Sequence, residues 1–220
     1  MNLIFNIFYN YLILPLLYAA LRFAGLFNKK IRAGILGRKR VYEKLILSAT
    51  SINKSKKLIW FHSSSLGEFE QAKPIIEKLK QEKDVNVLIT FFSPSGYENS
   101  IKYPFADLIA YIPFDTKANA EKFIAITNPT LAVIMRYDVW PNMIESLRNK
   151  KIPIFLVDAT LRSNSPRKYP LLKSFHKILF GSLSRVLTVS DSDAKEFKSF
   201  GLDDKKVSAV GDTRFDRVYQ

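Results

Sequence analysis

Glu68 is the residue whose neighbours best equip it to do chemistry. It closes the run His62-Ser63-Ser64-Ser65-Leu66-Gly67-Glu68, which follows the apolar stretch from Leu58 to Phe61. A carboxylate in a loop of serines and glycine can take a proton from a substrate hydroxyl if it comes within about 3 Å and the site tunes its pKa. Ser63, Ser64 and Ser65 would add hydrogen bonds without bulk, and Gly67 lets the backbone approach closely. The same residues also fit a helix start. Ser65-Leu66-Gly67-Glu68 has the S-x-x-E spacing of a capping box, in which serine and glutamate satisfy the orphan amides of the first turn. Spacing alone leaves both readings open.

Metal chemistry finds little support. The two histidines, His62 and His176, have no partner at ligand spacing, and cysteine is absent. A tightly held transition metal, a thiolate site and a disulfide are therefore not expected, and no cofactor is. His62 ends an apolar strand and reads as a core histidine; His176 lies on an amphipathic pattern.

The elements that must position Glu68 follow from periodicity. Phe69, Ala72, Ile76 and Leu79 recur at three and four residues, while Lys73, Glu77, Lys78 and Lys80 take the opposite face, which predicts a helix over 68–81. Further helices are expected at 95–102, 117–127, 141–149, 170–180 and 193–200, with Pro141 in a first turn and Gly201 at a stop. Between them lie strand patterns at 57–62, 85–92, 108–112, 131–135, 154–157, 185–189 and 207–210. Apolar strands alternating with amphipathic helices define an α/β class, a Rossmann-like parallel sheet with helices on both faces. Ligands of such sheets bind at the carboxyl ends of the strands, where Glu68 falls. No G-x-G-x-x-G follows the first strand, which argues against a dinucleotide-dependent dehydrogenase.

The amino terminus has a different character. Leu3 to Leu21 is almost wholly apolar and uncharged; as a helix it would reach about 28 Å, close to a hydrocarbon thickness of roughly 30 Å. Residues 1–21 are expected to form a membrane-anchor helix, either spanning or, given Asn6, Asn10 and Pro15, lying in the interface. Basic residues follow it: Arg22, Lys29, Lys30, Arg32, Arg38, Lys39, Arg40 and Lys44. The positive-inside rule then puts the rest of the chain on the cytoplasmic side. Residues 22–55 read as a basic juxtamembrane connector, suited to anionic head groups at roughly 1 kcal/mol per basic residue. The net charge of +14 is otherwise scattered, without the basic helix or interleaved aromatics of a nucleic-acid binder, so no nucleic acid is expected as partner.

Four segments in register resemble the bacterial transferases of 3-deoxy-D-manno-octulosonic acid (Kdo). They are His62 to Glu68, Met135-Arg136-Tyr137-Asp138-Val139-Trp140-Pro141-Asn142, Asp158-Ala159-Thr160-Leu161 and Gly211-Asp212-Thr213-Arg214-Phe215-Asp216. The resemblance implies the amino-terminal, acceptor-side half of a GT-B glycosyltransferase, with residues 56–210 as the Rossmann-like domain and 211–220 starting a crossover to a second domain. It implies transfer of Kdo from CMP-Kdo, held mainly by that second domain, to a phosphorylated lipid A precursor at the cytoplasmic face of the bacterial inner membrane. The transfer would be inverting and metal-independent.

Glu68 matches the family's catalytic acid. Asp138 takes an acidic position of the second motif and would contact acceptor hydroxyls; as a plain structural residue it would cap the helix at Pro141. Asn142 would lie on the acceptor side or pack with Trp140 and Pro141. Two departures stand out: Arg136 where the family has glutamate, and Thr160 where it has arginine. Arg162, two positions on, could restore a phosphate contact, and Arg167 and Lys168 are nearby. The alternatives are another membrane-associated GT-B glycosyltransferase, and a membrane-tethered acceptor-binding fragment with no activity of its own.

Overall fold

Seven parallel strands form one sheet in a computed structural model that describes residues 3–213. β1 (Leu58–Ser63) lies in the interior of the sheet, and all six of its residues are buried. The chain runs outward through α5 (Leu66–Glu82), β2 (Asn86–Phe91), α6 (Pro94–Ser100) and β3 (Leu108–Tyr111). It then returns through α7 (Lys117–Thr127) to β4 (Leu131–Met135) on the other side of β1. From there it continues through α8 (Pro141–Asn149), β5 (Ile154–Ala159), α9 (Pro170–Gly181), β6 (Arg185–Thr188) and α10 (Asp191–Lys198) to β7 (Val207–Ala209). The strand order is β3-β2-β1-β4-β5-β6-β7. The winding direction reverses between β1 and β4, and the loops leaving those two strands diverge to open a crevice.

Both faces of the sheet are apolar, as a parallel sheet requires. Trp60, Leu88, Ala132, Leu156 and Val186 pack with α7 to α10 on one face, and Ile59, Phe61, Ile89 and Val133 pack with α5 on the other. Phe69, Ala72 and Ile76 of α5 are fully buried. At roughly 1.5–3 kcal/mol for each large side chain, Phe69 and Ile76 hold the helix that carries Glu68 rigidly on the sheet. Toward β6 that face is thinner, since Phe155 and Leu187 are half-buried. Periodicity places the elements to within two residues, with β5 running two residues beyond 154–157. Asp158 adopts φ 51 and the β5–β6 register shifts between Leu156 and Ala159, so the strand continues through an irregularity that alternation does not announce.

The stretch expected as a connector is itself helical. α1 (Leu3–Phe8) and α2 (Leu14–Phe27) run through a π-helical turn (Tyr9–Ile13) as one apolar rod, followed by α3 (Lys29–Arg38) and α4 (Val41–Ser51). α3 is pinned to the sheet by Arg38, which is buried. Its guanidinium donates to Phe92 O at 2.5 Å, Ile112 O at 2.9 Å and Gly34 O at 2.8 Å, and lies over the rings of Phe92, Tyr111 and Phe114. Burial lowers its pKa to about 10, which leaves it charged at neutral pH. Arg38→Ala strands two carbonyls at the strand ends and is expected to cost on the order of 3 kcal/mol in urea unfolding, with Arg38→Lys recovering part of it.

The rod lies alongside the domain, with Asn6, Tyr9 and Asn10 turned inward. Tyr9 Oη donates to Asp115 Oδ2 at 2.9 Å, Asn10 and Asn142 exchange amide bonds at 3.2 and 2.8 Å, and Asn6 Nδ2 donates to Glu145 Oε2 at 3.2 Å. Its large apolar residues face outward, with Leu3 and Ile4 73% exposed and Tyr11 79%. Leu3–Phe27 is long and apolar enough to cross a membrane, with mean hydropathy 1.6. However, Asn6, Tyr9 and Asn10 could not keep these partners from inside a bilayer core. The asparagines that interrupt the apolar run are docking groups.

Candidate active site

Two strand ends build the site. Where β1 stops, Ser65 takes the N-cap position of α5 in an extended conformation, and Glu68 falls in the first helical turn. The capping box forms only loosely. Glu68 N reaches Ser65 Oγ at 3.5 Å, and the carboxylate turns back one residue further than a box requires, with Ser64 N donating to Glu68 Oε2 at 2.6 Å. Where β4 stops, Arg136 at φ 62 turns the chain so that Asp138 faces β1. Asp138 Oδ2 accepts from His62 Nε2 at 2.7 Å, from Trp140 Nε1 at 3.0 Å and from the Ser64 hydroxyl. Ser64 therefore bridges two carboxylates across the crevice, by its amide to Glu68 and by its hydroxyl to Asp138.

His62, opposite Thr90 on β2, is 1% exposed. Trp60 Nε1, which can only donate, gives a hydrogen bond to Thr90 Oγ1 at 2.8 Å. His62 Nδ1 lies 2.9 Å from Thr90 Oγ1 and 3.2 Å from Thr90 O, and its Nε2 lies 2.7 Å from Asp138 Oδ2. His62 is the satisfied core histidine that its strand position predicts, and it also positions Asp138.

The surroundings push the two acids in opposite directions. Burial raises the Glu68 pKa above its ordinary value; the Ser64 amide opposes this, the Asp138 charge adds to it, and His62 and Arg136 counter it. Burial also raises that of Asp138, but the hydrogen bond and charge of His62, with the bonds from Ser64 and Trp140, outweigh it and leave the net value lowered. The two neighbouring carboxylates are thus shifted in opposite directions by their surroundings. Arg136 Nη1 donates to Gln71 Oε1 at 3.2 Å, and its guanidinium and that of Arg167 lie 6.0 and 5.5 Å from the Tyr137 ring. Among the described residues, no three His, Cys, Asp or Glu side chains group as a metal site.

The structure gathers some of the expected residues and turns others away. Glu68, Ser64, Ser65 and Asp138 come together at the ends of β1 and β4, with Glu68 buried at 8% exposed and the other three partly exposed. Gly67 is exposed, and a Cβ built on it meets nothing within 4 Å, so the space above the helix start is open. Ser63 faces inward instead. β1 extends through it to pair with Phe91, and its hydroxyl is sealed without a partner. Asn142 is 1% exposed and spends its amide on Asn10 and Asp115 O, so it docks the rod rather than a ligand.

Arg162 is exposed in the loop after β5, and it is Arg167 that lies within electrostatic range of Asp138. Asp138 does not cap α8. That role falls to Asp115, whose oxygens accept from Asn142 N at 3.0 Å and Met143 N at 2.9 Å. Asp115, Gln71 and Thr90 carry no local signal in the sequence. Arg214, Phe215 and Asp216 lie outside the described residues.

The doubly wound strand order, with a carboxylate pair at the reversal, is that of a GT-B-like domain. In keeping with that fold, a UDP-GlcNAc 2-epimerase from Methanocaldococcus jannaschii superposes with TM-score 0.55 at 19% identity, over 74% of this chain and 47% of its own. A UDP-N-acetylglucosamine 2-epimerase from Rickettsia bellii gives 0.57 at 12%, with the same coverages. At these identities the likeness is one of fold alone.

The chain belongs to the 3-deoxy-D-manno-octulosonic acid transferase family, whose sequence model matches residues 39–217. It is 27% identical to the transferase of that name from Haemophilus influenzae over 72% of this chain and 38% of that protein. It is 28% identical to the one from Aquifex aeolicus over 75% and 42%. A bifunctional glycosyltransferase/methyltransferase from Fusobacterium nucleatum is also 28% identical, over 74% and 26%. The chain thus spans well under half the length of these relatives.

Proposed function

We propose that this chain is the acceptor-binding half of an enzyme that moves Kdo from CMP-Kdo to a sugar hydroxyl of a phosphorylated lipid A precursor. Glu68 takes the proton of that hydroxyl, the freed oxygen bonds to the anomeric carbon on the face opposite CMP, and CMP departs with the electron pair of the broken bond. Asp138, kept ionised by His62, and the Ser64 hydroxyl orient the acceptor, with Ser65 beside them. Arg136 and Arg167 supply positive charge for its phosphate or for the departing one. The observation that carries this reading is the Ser64 bridge between two acids of opposed proton affinity, beneath the open space at Gly67. The outward apolar face of α1 and α2, with seven basic residues and no acid between Arg22 and Arg40, supports attachment to an anionic membrane surface. The cytoplasmic side of the bacterial inner membrane is the proposed location.

Competition separates this from another membrane glycosyltransferase. In the intact enzyme, CMP-Kdo and not UDP- or GDP-sugars should support transfer, and equal use of a UDP-sugar overturns the assignment. The 220-residue chain alone is expected to bind the phosphorylated disaccharide lipid without turnover. Gly67→Ala tests the acceptor side. Alanine meets no protein atom there and favours helix by up to about 1 kcal/mol. Thermal stability should hold or rise while the acceptor KM increases, and an unchanged KM removes that space from the site.

A further inference from the structure

We infer that a second, apolar site lies behind the acid pair and takes one fatty acyl chain of the acceptor lipid. The inference rests on the acceptor-binding reading above. A cavity of about 270 Å³ separates α2 from the carboxyl-terminal rim of the sheet, with Leu14, Leu17 and Leu21 on one wall and Phe92, Phe114 and Trp140 on the other. Leu21, Phe92 and Phe114 also bound a neighbouring cavity of about 240 Å³, whose far side carries Lys30 and Ile31. The two cavities lie side by side through these three shared residues, one bordered by Trp140 and the other by α3.

Three features choose the occupant. The first is continuity with the site, because Trp140 lines the slot with a ring stacked 5.3 Å from Phe92 while its indole nitrogen donates to Asp138 Oδ2. A chain held in the slot would deliver its own head group to the acids. The second is polarity. Asp115 borders the slot, but its oxygens are committed to Tyr9, Asn142 and Met143, and although Tyr18, Thr116 and Asn119 also line it, most of the wall is apolar. The third is charge: no carboxylate precedes Glu43 in the sequence, and Lys30 at the outer end suits the anionic membrane surface from which an acylated lipid would enter.

Trp140 provides the test, because Trp60, the second of two tryptophans, is buried in the core beside Phe123. The chain is bound to unbrominated vesicles doped either with a phosphorylated glucosamine disaccharide bearing brominated acyl chains or with brominated phosphatidylglycerol. Tryptophan quenching is recorded alongside co-sedimentation. The disaccharide lipid should quench at a lower mole fraction than phosphatidylglycerol. The double variant Leu17→Phe/Leu21→Phe should raise that mole fraction by about tenfold or more. Leu16→Phe, at a position 60% exposed and outside the slot, should leave it unchanged and controls for folding and vesicle binding. Equal quenching by the two lipids overturns the inference in favour of bulk lipid. Retention of the disaccharide lipid without quenching overturns the slot and leaves the acceptor reading standing. If that lipid is retained no better than phosphatidylglycerol, the acceptor reading fails and the slot with it.

Discussion

Glu68→Gln is expected to lower transfer by about 10²–10⁴-fold in the intact enzyme, the range that a positioned base contributes. Glutamine keeps the volume, and its amide oxygen can still accept from Ser64 N, so the loop and the helix start should survive. Thermal unfolding and acceptor binding should therefore stay near wild type, and near-normal turnover would remove Glu68 from the mechanism. The pH profile carries the same information. A base must be unprotonated to act, so the rate is lost as pH falls through the folded-state pKa of Glu68. Burial puts that value above the ordinary 4.5, so the acid limb should lie above the usual carboxylate range. A limb at or below that range would contradict a buried base.

Asp115→Ala should produce the largest loss of stability. The carboxylate is 3% exposed and accepts from Tyr9 Oη and from two amides in the first turn of α8. Its removal strands buried donors and unties the rod, and a cost of about 3–5 kcal/mol is expected in denaturant unfolding. Vesicle binding by the rod should persist, because its outward apolar face is untouched. Burial also pushes the Asp115 pKa up to about 7 against the opposing pull of its hydrogen bonds. A group raised in the folded state contributes stability that is complete below its unfolded value, near 3.8, and is lost as pH rises through about 7. Asp115→Asn should flatten that part of the stability–pH curve, and an unchanged slope would assign it elsewhere.

Asp138 shows how far local signals reach. A single acid three residues before Pro141 looks like a helix cap, and nothing nearby in the chain argues otherwise. The actual cap comes from Asp115, and the actual partner of Asp138 is His62, 76 residues away. Ser63 and Ser64 make the same point at shorter range. Sequence treats them as equivalent, but β1 runs one residue further than the apolar stretch implies, so strand alternation sends one hydroxyl into the interior and the next into the crevice.

What could be read from the chain directly was the alternation of strands and helices, the helix start that carries Glu68, the apolar rod and the family. Each depends on side-chain spacing within one or two turns, where backbone geometry alone dictates which residues share a face. What needed three dimensions was the joining of β1 to β4, which brings Ser64, Glu68, His62 and Asp138 together, and the inward turn of Asn6, Tyr9 and Asn10 that lays the rod along the domain. Those partnerships depend on strand order and helix docking, which are set by burial summed over the whole sheet rather than by any local pattern.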